Sequence, residues 1–333
     1  MRALRFHKTG SLDNLTLEDV PIPAPAPDEV LVQVKAAAVN PSDLKNVQGK
    51  MHVTTVPRIP GRDFAGLIVK ASEGQVVGQP VFGSGGDLGF GRDGSHAEFV
   101  AVPASAVMPL PKNLSFAQAA GIGVAYLTAW AALVDAAEIK PGENVLILGT
   151  TGAVGSAAAR IAHSLGARVI GTARKKSNIP AAGFLPVDHW IDLESTDLGT
   201  GARQVTNGQG ADVVFDLVGG QMFEASLGAL AWRGRQIAIS SSPEPRVNFN
   251  LVDFYHNESR LFGVDSLKLS FQKTGDILRR LTPGFEIGDF PPPQVETYPL
   301  EQGPAVYRDM NDSKIKGKPV LVPAPAGTIT DSR

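Results

Sequence analysis

A glycine-rich turn near the middle of the chain has the residue types that hold a dinucleotide. Residues 143–155 read Glu-Asn-Val-Leu-Ile-Leu-Gly-Thr-Thr-Gly-Ala-Val-Gly. Gly149 and Gly152 let the backbone turn sharply and approach a ligand, and Gly155 lets the next helix pack against the preceding strand. The N–H groups at the start of that helix favour a pyrophosphate. The pattern predicts a dinucleotide site, and a tight turn without a ligand is the alternative.

The segments around this turn predict one βαβ unit. Residues 145–148 form a continuous apolar run, as expected of a parallel strand buried on both faces. The following helix carries an apolar face, ends at Gly166, and leads directly into a second strand over residues 168–172. Thr150 occupies the first glycine position of the usual motif, so the interpretation depends on this context.

The end of the second strand indicates which dinucleotide binds. An NAD site usually has an Asp or Glu there for the ribose hydroxyl, whereas residues 171–177 read Gly-Thr-Ala-Arg-Lys-Lys-Ser. Hydrogen bonds to a charged group contribute about 1.5–3 kcal/mol each, so cations here favour a 2′-phosphate. We predict NADPH as the cofactor, contacted by Thr172, Arg174, Lys175 and Lys176. A solvated basic turn is the alternative.

The composition of the chain excludes several classes of protein and several kinds of site. The chain has 333 residues, a formal net charge of −2 and 43% hydrophobic residues, which fits a two-domain globular protein without a nucleic-acid partner. It contains no cysteine, which excludes disulfides and thiolate ligands, and its six histidines lack ligand spacing, so we predict no metal. Charges at Arg2 and Arg5 interrupt any signal-like apolar run, so we predict a cytoplasmic protein without a membrane partner.

The order of elements predicts an α/β protein. Residues 1–110 read as β-rich, with a short helix over 41–48, and residues 115–137 have helical periodicity. Six strands then alternate with helices, one of them over 221–232, which predicts a doubly wound parallel sheet. Residues 318–322 form a last strand with no α/β unit of its own, so we expect it to fold back onto the N-terminal part.

Several motifs follow one another in a family-specific order. They are Asn40-Pro41-Ser42-Asp43, Pro60-Gly61-Arg62-Asp63-Phe64-Ala65-Gly66, Ala97-Glu98-Phe99-Val100, Leu127-Thr128-Ala129-Trp130, the glycine turn, residues 212–220 and Lys316-Gly317-Lys318. With them the chain resembles the zinc-free quinone oxidoreductase and enone reductase branch of the medium-chain dehydrogenase/reductase superfamily. The resemblance implies a GroES-like β-barrel catalytic domain (1–118 with 266–333) and a Rossmann NADP(H)-binding domain (119–265).

The resemblance also implies a reaction. Zinc-dependent relatives have a Cys near Ser42 and a His-Glu pair at Arg62-Asp63, and neither is present. Without that Lewis acid, the expected chemistry is hydride transfer from NADPH to a quinone or an α,β-unsaturated carbonyl, which are small-molecule substrates. Two alternatives remain open: an enoyl-thioester reductase, and a low-turnover NADPH-binding protein of the crystallin kind.

The resemblance places Asn40 and Thr128 beside the nicotinamide and ribose. Asn40 can orient a carboxamide or polarise a substrate carbonyl, and a local helix cap before Pro41 is the equal alternative. Thr128 can instead bond back to a helix carbonyl. A tyrosine that relatives use as proton donor is replaced by Lys45 or Met51. Lys45 and Tyr126 are candidate replacements, with an exposed lysine and core packing as the respective alternatives.

The remaining expected coenzyme contacts lie in the glycine turn, at the start of the helix that follows it, and at strand ends. We expect Thr151, Gly152, Ala153 and Val154 to lie along the pyrophosphate. Four residues match strand-end positions that line the dinucleotide in relatives: Val218, Ser240, Gly263 and Val264. Ser240 to Ser242 form only a polar loop in the alternative interpretation. Relatives commonly pair through the last strand of the parallel sheet, so we expect a homodimer.

Overall fold

The computed structural model describes residues 1–240 and 244–324. The chain divides into two compact units. The first unit consists of Met1–Val124 together with the chain from Leu267 onward, and the second unit is Ala125–Ser266. The sequence placed the corresponding boundaries at 118/119 and 265/266.

The strands and helices of the described residues are numbered in chain order. The strands are β1 (Arg2–Arg5), β2 (Thr16–Asp19), β3 (Glu29–Ala38), β4 (Phe64–Lys70), β5 (Pro80–Gly83), β6 (Phe99–Pro103), β7 (Val107–Pro109), β8 (Asn144–Ile147), β9 (Arg168–Ala173), β10 (His189–Asp192), β11 (Ala211–Asp216), β12 (Leu230–Ala238), β13 (Arg260–Gly263), β14 (Val295–Pro299) and β15 (Lys318–Val322). The helices are α1 (Pro41–Val47), α2 (Phe116–Ala120), α3 (Gly123–Trp130), α4 (Ala153–Ser164), α5 (Leu198–Val205), α6 (Phe223–Gly228), α7 (Leu251–His256), α8 (Phe271–Ile287) and α9 (Gly303–Asn311).

The second unit contains the predicted doubly wound sheet. Its six strands run in the order β10-β9-β8-β11-β12-β13, and every neighbouring pair is parallel. The central strand β8 is fully buried from Val145 to Ile147, as its continuous apolar run requires. The strand order reverses between β8 and β11, and the carboxyl ends of strands at such a reversal form a binding crevice.

The first unit is built around β3. This strand pairs antiparallel with β4, β6 and β15 in a larger sheet ordered β14-β15-β3-β4-β5-β7. The last strand β15 therefore does fold back onto the N-terminal part, with Val320 opposite Ala38 and Leu321 opposite Ala37. Alternating residues Val30, Val32 and Val34 of β3 pack into the unit's core.

Two predicted helices need correction. The helix expected over 221–232 is shorter: α6 ends at Gly228, and β12 begins at Leu230. The Ala- and Leu-rich sequence there favours helix locally, but pairing of Leu230 with Ala211 draws it into the sheet. The helical stretch over 115–137 is divided into α2, α3 and a π-helical segment, Ala131–Ala136.

One helical stretch of the described residues passes a length and composition test for spanning a membrane. Phe116–Ala136 has a mean hydropathy of 1.4 in its best window, but 72% of that window is buried inside the protein. Core helices pass the same test, so the finding is weak evidence for a membrane span.

Candidate functional site

The glycine turn opens α4 at the carboxyl end of β8. Gly149 has φ +70°, a conformation that favours glycine. A Cβ added at Gly155 would lie 2.3 Å from the carbonyl oxygen of Gly149, so only glycine lets helix and turn approach this closely. Gly152 precedes α4, has no side chain to cap it, and is exposed together with Thr151 and Ala153. The first N–H groups of α4 are thus available to an anionic ligand.

Two threonines hold this turn in shape. The Thr150 hydroxyl donates to the carbonyl oxygen of Ile147 at 2.6 Å and accepts from the Thr172 backbone N–H at 2.8 Å. The Thr172 hydroxyl accepts from the Gly149 N–H at 3.2 Å. Thr150 therefore compensates for the missing glycine by joining β8 to β9, a role that the sequence analysis did not assign. Thr172 is 4% exposed and its hydroxyl is already bonded, so it positions the turn from inside.

The basic residues follow β9 directly. Arg174, Lys175 and Lys176 are all exposed, and within the described residues their side chains have no hydrogen bond or ion pair. They lie at the same edge of the sheet as the glycine turn, because the carboxyl ends of neighbouring parallel strands share an edge. Three uncompensated cations at this edge suit an anionic group.

The strand ends near the turn carry the other expected coenzyme residues. Val218 is 41% exposed, and its side chain approaches the open side of Gly149. Asp216, which the sequence analysis also missed, shapes this bend by accepting the N–H groups of Val218 and Gly219 at 2.9 and 2.8 Å. Ser240 lies just after the end of β12, and Gly263 is the last residue of the neighbouring strand β13. Ser241 and Ser242 lie outside the described residues.

Val154 and Val264 complete the expected set. Val154 lies in the first turn of α4 and is half-buried. Val264 follows β13, and its N–H donates to the carbonyl oxygen of Ala238 at 3.1 Å. The second unit thus brings the glycine turn, the basic turn and the expected strand-end residues to the carboxyl ends of the strands of one sheet. Their contact with a coenzyme stays a prediction.

A second polar cluster lies in the first unit, around Asn40. The Asn40 amide nitrogen donates to Asp63 Oδ2 at 2.9 Å, and its oxygen accepts from the Lys318 ammonium group. Strand register explains the meeting: the Val39 N–H donates to the Pro319 carbonyl oxygen, which places Lys318 opposite Asn40. Asn40 is 2% exposed, so this bonding fixes the carboxamide rigidly.

Asp63 and Asp43 give this cluster its negative charge. Asp63 Oδ1 accepts from the Ser84 hydroxyl at 2.5 Å and from the Val124 N–H at 2.9 Å. Asp43 accepts from the Asn40 N–H at 2.7 Å, so Asn40 also begins α1 as expected of a cap residue. Burial raises the pKa of Asp43 to about 7, and the nearby Asp63 charge adds to the rise.

A buried histidine lies close to this cluster. His96 Nε2 is 3.2 Å from the carbonyl oxygen of Ala38, which can only accept, so Nε2 carries the hydrogen. Nδ1 then accepts from the Tyr307 hydroxyl at 2.8 Å. Burial lowers the pKa of His96 to about 4, because the charged ring would lose its hydration. His96 is therefore a neutral structural residue.

This histidine predicts a pH dependence of stability. The folded state holds fewer protons on His96 than the unfolded state between pH 6.5 and about 4, so its contribution is present above pH 6.5 and lost as pH falls to 4. The loss amounts to about 3 kcal/mol at 1.36 kcal/mol per pKa unit. We expect His96→Gln to remove this loss from the unfolding free energy measured by denaturant titration at several pH values.

The matched control is His163→Gln. His163 is exposed on α4, so its replacement should leave the pH dependence as it is. Asp43 acts in the opposite sense, since its raised pKa lowers stability as pH rises from about 4 towards 7. The wild-type curve is therefore flattened, and only the difference between variants isolates His96. Parallel curves for His96→Gln and wild type would contradict the prediction.

The structure also describes the other candidate residues. Thr128 donates to the Ser266 hydroxyl at 3.0 Å, not to a carbonyl of its own helix. Tyr126 is 5% exposed, and burial raises the pKa of its phenol to about 12, which favours core packing over proton donation. Lys45 lies half-buried in the last turn of α1. Its role as a proton donor stays a prediction.

Comparisons with known proteins agree with this architecture. The family described as "Alcohol dehydrogenase GroES-like domain" matches residues 26–112, and "Zinc-binding dehydrogenase" matches residues 153–280. A zinc-type alcohol dehydrogenase-like protein of Schizosaccharomyces pombe is 36% identical over 87% of this chain and 86% of its own length. The quinone oxidoreductase of Rattus norvegicus is 31% identical over 97% of this chain and 98% of its own.

A solved structure agrees as well. The solved structure of an NAD-dependent alcohol dehydrogenase superposes on this chain with a TM-score of 0.87 at 30% sequence identity. The match covers 97% of this chain and 99% of the dehydrogenase chain. The combination of a GroES-like unit and a Rossmann-type parallel sheet in one chain defines a nicotinamide-dependent oxidoreductase, and the predicted fold class is confirmed. The chain belongs to the medium-chain dehydrogenase/reductase superfamily, in its quinone oxidoreductase branch.

Proposed function

We propose that this protein is an NADPH-dependent, zinc-independent reductase that transfers hydride to a quinone or an α,β-unsaturated carbonyl. The observation that carries the choice of coenzyme is the run of three exposed cations directly after β9, where an NAD site has a carboxylate. The quinone oxidoreductase relatives support the acceptor class. The absence of cysteine from the sequence supports zinc independence, which stays a prediction.

The residues would divide the work in the following way. A bound reduced nicotinamide supplies the hydride. The α4 N-terminus and the exposed turn would hold the pyrophosphate, and Arg174 with its neighbouring lysines would hold the 2′-phosphate. Asn40, fixed by Asp63 and Lys318, would polarise the acceptor carbonyl or orient the nicotinamide carboxamide.

The experiment that tests the proposal is a substrate panel with NADPH and NADH side by side. Quinones, enones and enoyl-thioesters are compared by kcat/KM, after dialysis against a chelator. The proposal predicts turnover of quinones or enones with a clear preference for NADPH. Turnover restricted to thioesters would favour the enoyl reductase alternative, and no turnover would favour a coenzyme-binding protein. Equal use of both coenzymes would contradict the assignment of the basic turn.

One variant tests the basic turn directly. We expect Arg174→Ala to lower the NADPH-over-NADH preference in kcat/KM by about tenfold to a hundredfold, because one charge-assisted contact to the 2′-phosphate is lost. The rate with NADH should hardly change. Arg168→Ala is the matched control, since Arg168 is exposed at the other end of the same strand β9. An unchanged preference in Arg174→Ala would show that the turn is merely solvated.

We also propose a homodimer that pairs through β13. This strand is an edge strand of the parallel sheet, and Leu261 on it is 42% exposed; Tyr255 of α7 and Trp232 of β12 are exposed as well. We expect Leu261→Glu to convert the dimer to a monomer in light scattering. Ile287→Glu, at a more exposed position on α8, is the control that should stay dimeric. A monomeric wild type would contradict the proposal.

A cytoplasmic location of the protein remains a prediction.

A further inference from the structure

Lys318 is a cationic residue to which the sequence motifs assign no function. It is the first residue of β15, and the register against β3 places it opposite Asn40 although 278 residues separate them. Its side chain is partly buried, and one ammonium hydrogen is donated to the Asn40 oxygen. Within the described residues no acceptor takes the other two. The ammonium group therefore has donor capacity that the fold does not use.

The side-chain amide of Asn40 also has a donor hydrogen that the described residues leave unused. Its amide nitrogen carries two hydrogens, and the described residues use one of them, in the bond to Asp63. The bond from Lys318 fixes which end of the carboxamide is the donor, because an ammonium group can only donate. Unused donor hydrogens thus lie on both of these neighbouring groups, whose orientation is set by the surrounding bonds. This arrangement suits an oxygen that gains negative charge.

The surroundings leave the positive charge of Lys318 partly uncompensated. Burial lowers its pKa, while Asp63 and Asp43 act to raise it. Asp63 also accepts hydrogen bonds from Asn40, Ser84 and the Val124 N–H. Asp43, with a pKa of about 7, is only partly ionised near neutral pH. A poorly hydrated cation with shared counter-charges interacts strongly with a new anion.

We propose that Lys318 is a catalytic residue, whose ammonium group acts with the Asn40 amide to bind the substrate oxygen as it becomes negative. The inference rests on the proposed function. An enone takes a hydride from the reduced nicotinamide, with both electrons of the C–H bond broken there, and forms a new C–H bond at its β carbon, so its π electrons move to the carbonyl oxygen. The resulting enolate oxygen carries the charge that Lys318 stabilises, until a proton from water forms the second C–H bond at the α carbon.

The first test needs no turnover. The protein with bound NADP⁺ is titrated with 4-nitrophenolate, an anionic oxygen ligand, and binding is followed by its absorbance. We expect Lys318→Met to weaken phenolate binding by about tenfold or more, and Lys318→Arg to keep most of it. Lys316→Met, which removes an exposed charge two residues away, is the matched control and should bind like the wild type. Equal phenolate binding by Lys318→Met and wild type would overturn the proposal, as would a wild type that binds no phenolate.

The second test separates the substrate oxygen from the coenzyme. NADPH affinity is measured by fluorescence, and the single-turnover rate with enones and quinones by the loss of NADPH absorbance. We expect Lys318→Met to keep its NADPH affinity and to lose about 10²–10³-fold in rate, with the larger loss for the less electron-poor enones. Melting curves check folding, and Lys318→Arg should restore part of the rate. A loss of NADPH affinity as large as the loss of rate would overturn the proposal by assigning Lys318 to the coenzyme.

Failure of the proposed function gives a different result. If the wild-type protein oxidises no NADPH with any quinone or enone, the reductase assignment is wrong for every variant alike. If the wild type is active and Lys318→Met is equally active, only the assignment of Lys318 is wrong. The phenolate titration compares the variants in both cases.

Discussion

Gly155→Ala is expected to abolish measurable NADPH binding and to lower the stability of the protein. The new Cβ would lie 2.3 Å from the Gly149 carbonyl oxygen and 2.8 Å from Thr150 Cα, and backbone atoms cannot yield as a flexible side chain does. The turn must therefore move away from α4, at a cost of about 1–3 kcal/mol or more. Because the N–H groups and the glycines act together on one pyrophosphate, this shift should weaken NADPH by more than about a hundredfold.

Gly152→Ala is the matched comparison. Here the nearest atom to an added Cβ is the Gly149 oxygen at 3.3 Å, and the residue is exposed with φ −73°. The melting temperature should stay the same or rise slightly, since alanine restricts the unfolded chain. NADPH affinity should still fall, because the methyl group occupies space beside the expected pyrophosphate. If Gly155→Ala binds NADPH as the wild type does, the glycine turn is not the coenzyme site.

Asn40→Ala is expected to lower the single-turnover rate of hydride transfer by about 10²–10³-fold, the usual effect of removing one preorganised donor. The change removes the group that donates to Asp63 and the oxygen that accepts from Lys318. NADPH affinity should change little, because the 2′-phosphate and pyrophosphate contacts proposed for the second unit are untouched. Rapid mixing with fluorescence and absorbance detection measures both quantities on the same sample.

A buried asparagine of α1, the helix that Asn40 precedes, provides the control. Asn46 donates to the Gly89 carbonyl oxygen at 2.6 Å and accepts from the Thr54 hydroxyl, so its contacts are structural. Asn46→Ala should lower the unfolding free energy, since it leaves buried polar groups without partners, and should keep the hydride-transfer rate of the folded protein. Equal rates for Asn40→Ala and Asn46→Ala would assign Asn40 a purely structural role.

Much of the fold follows from the sequence, because hydrophobic pattern and turn chemistry act locally. The run from Val145 to Ile147, the glycines after it and the helix stop at Gly166 predicted β8, the turn and α4, and Gly166 has φ +79° as a helix end requires. The helix expected over 221–232 was too long because a local pattern does not decide where β12 begins. Its start is set by pairing with β11, which is a contact between segments distant in sequence.

The candidate site could be predicted only in part. Arg174 and the glycine turn belong to one local βαβ unit, so their spacing together with the strands and helix around them indicates a dinucleotide site. Lys318 and Asn40 are joined by the register of β15 on β3, and no local pattern fixes a register between strands so far apart. Thr150 looked like a defect in the motif, and its compensating bonds to Ile147 and Thr172 become visible only once β8 and β9 are paired.

The most direct test of the whole account is a single-turnover measurement with 1,4-benzoquinone. Wild-type protein is incubated with NADPH or with NADH at one subsaturating concentration, mixed rapidly with the quinone, and followed at the nicotinamide absorbance band after chelator treatment. The account predicts fast oxidation of NADPH, and much slower oxidation of NADH at the same subsaturating concentration. No oxidation of bound NADPH beyond the rate in buffer, or oxidation only when zinc is restored, would contradict it.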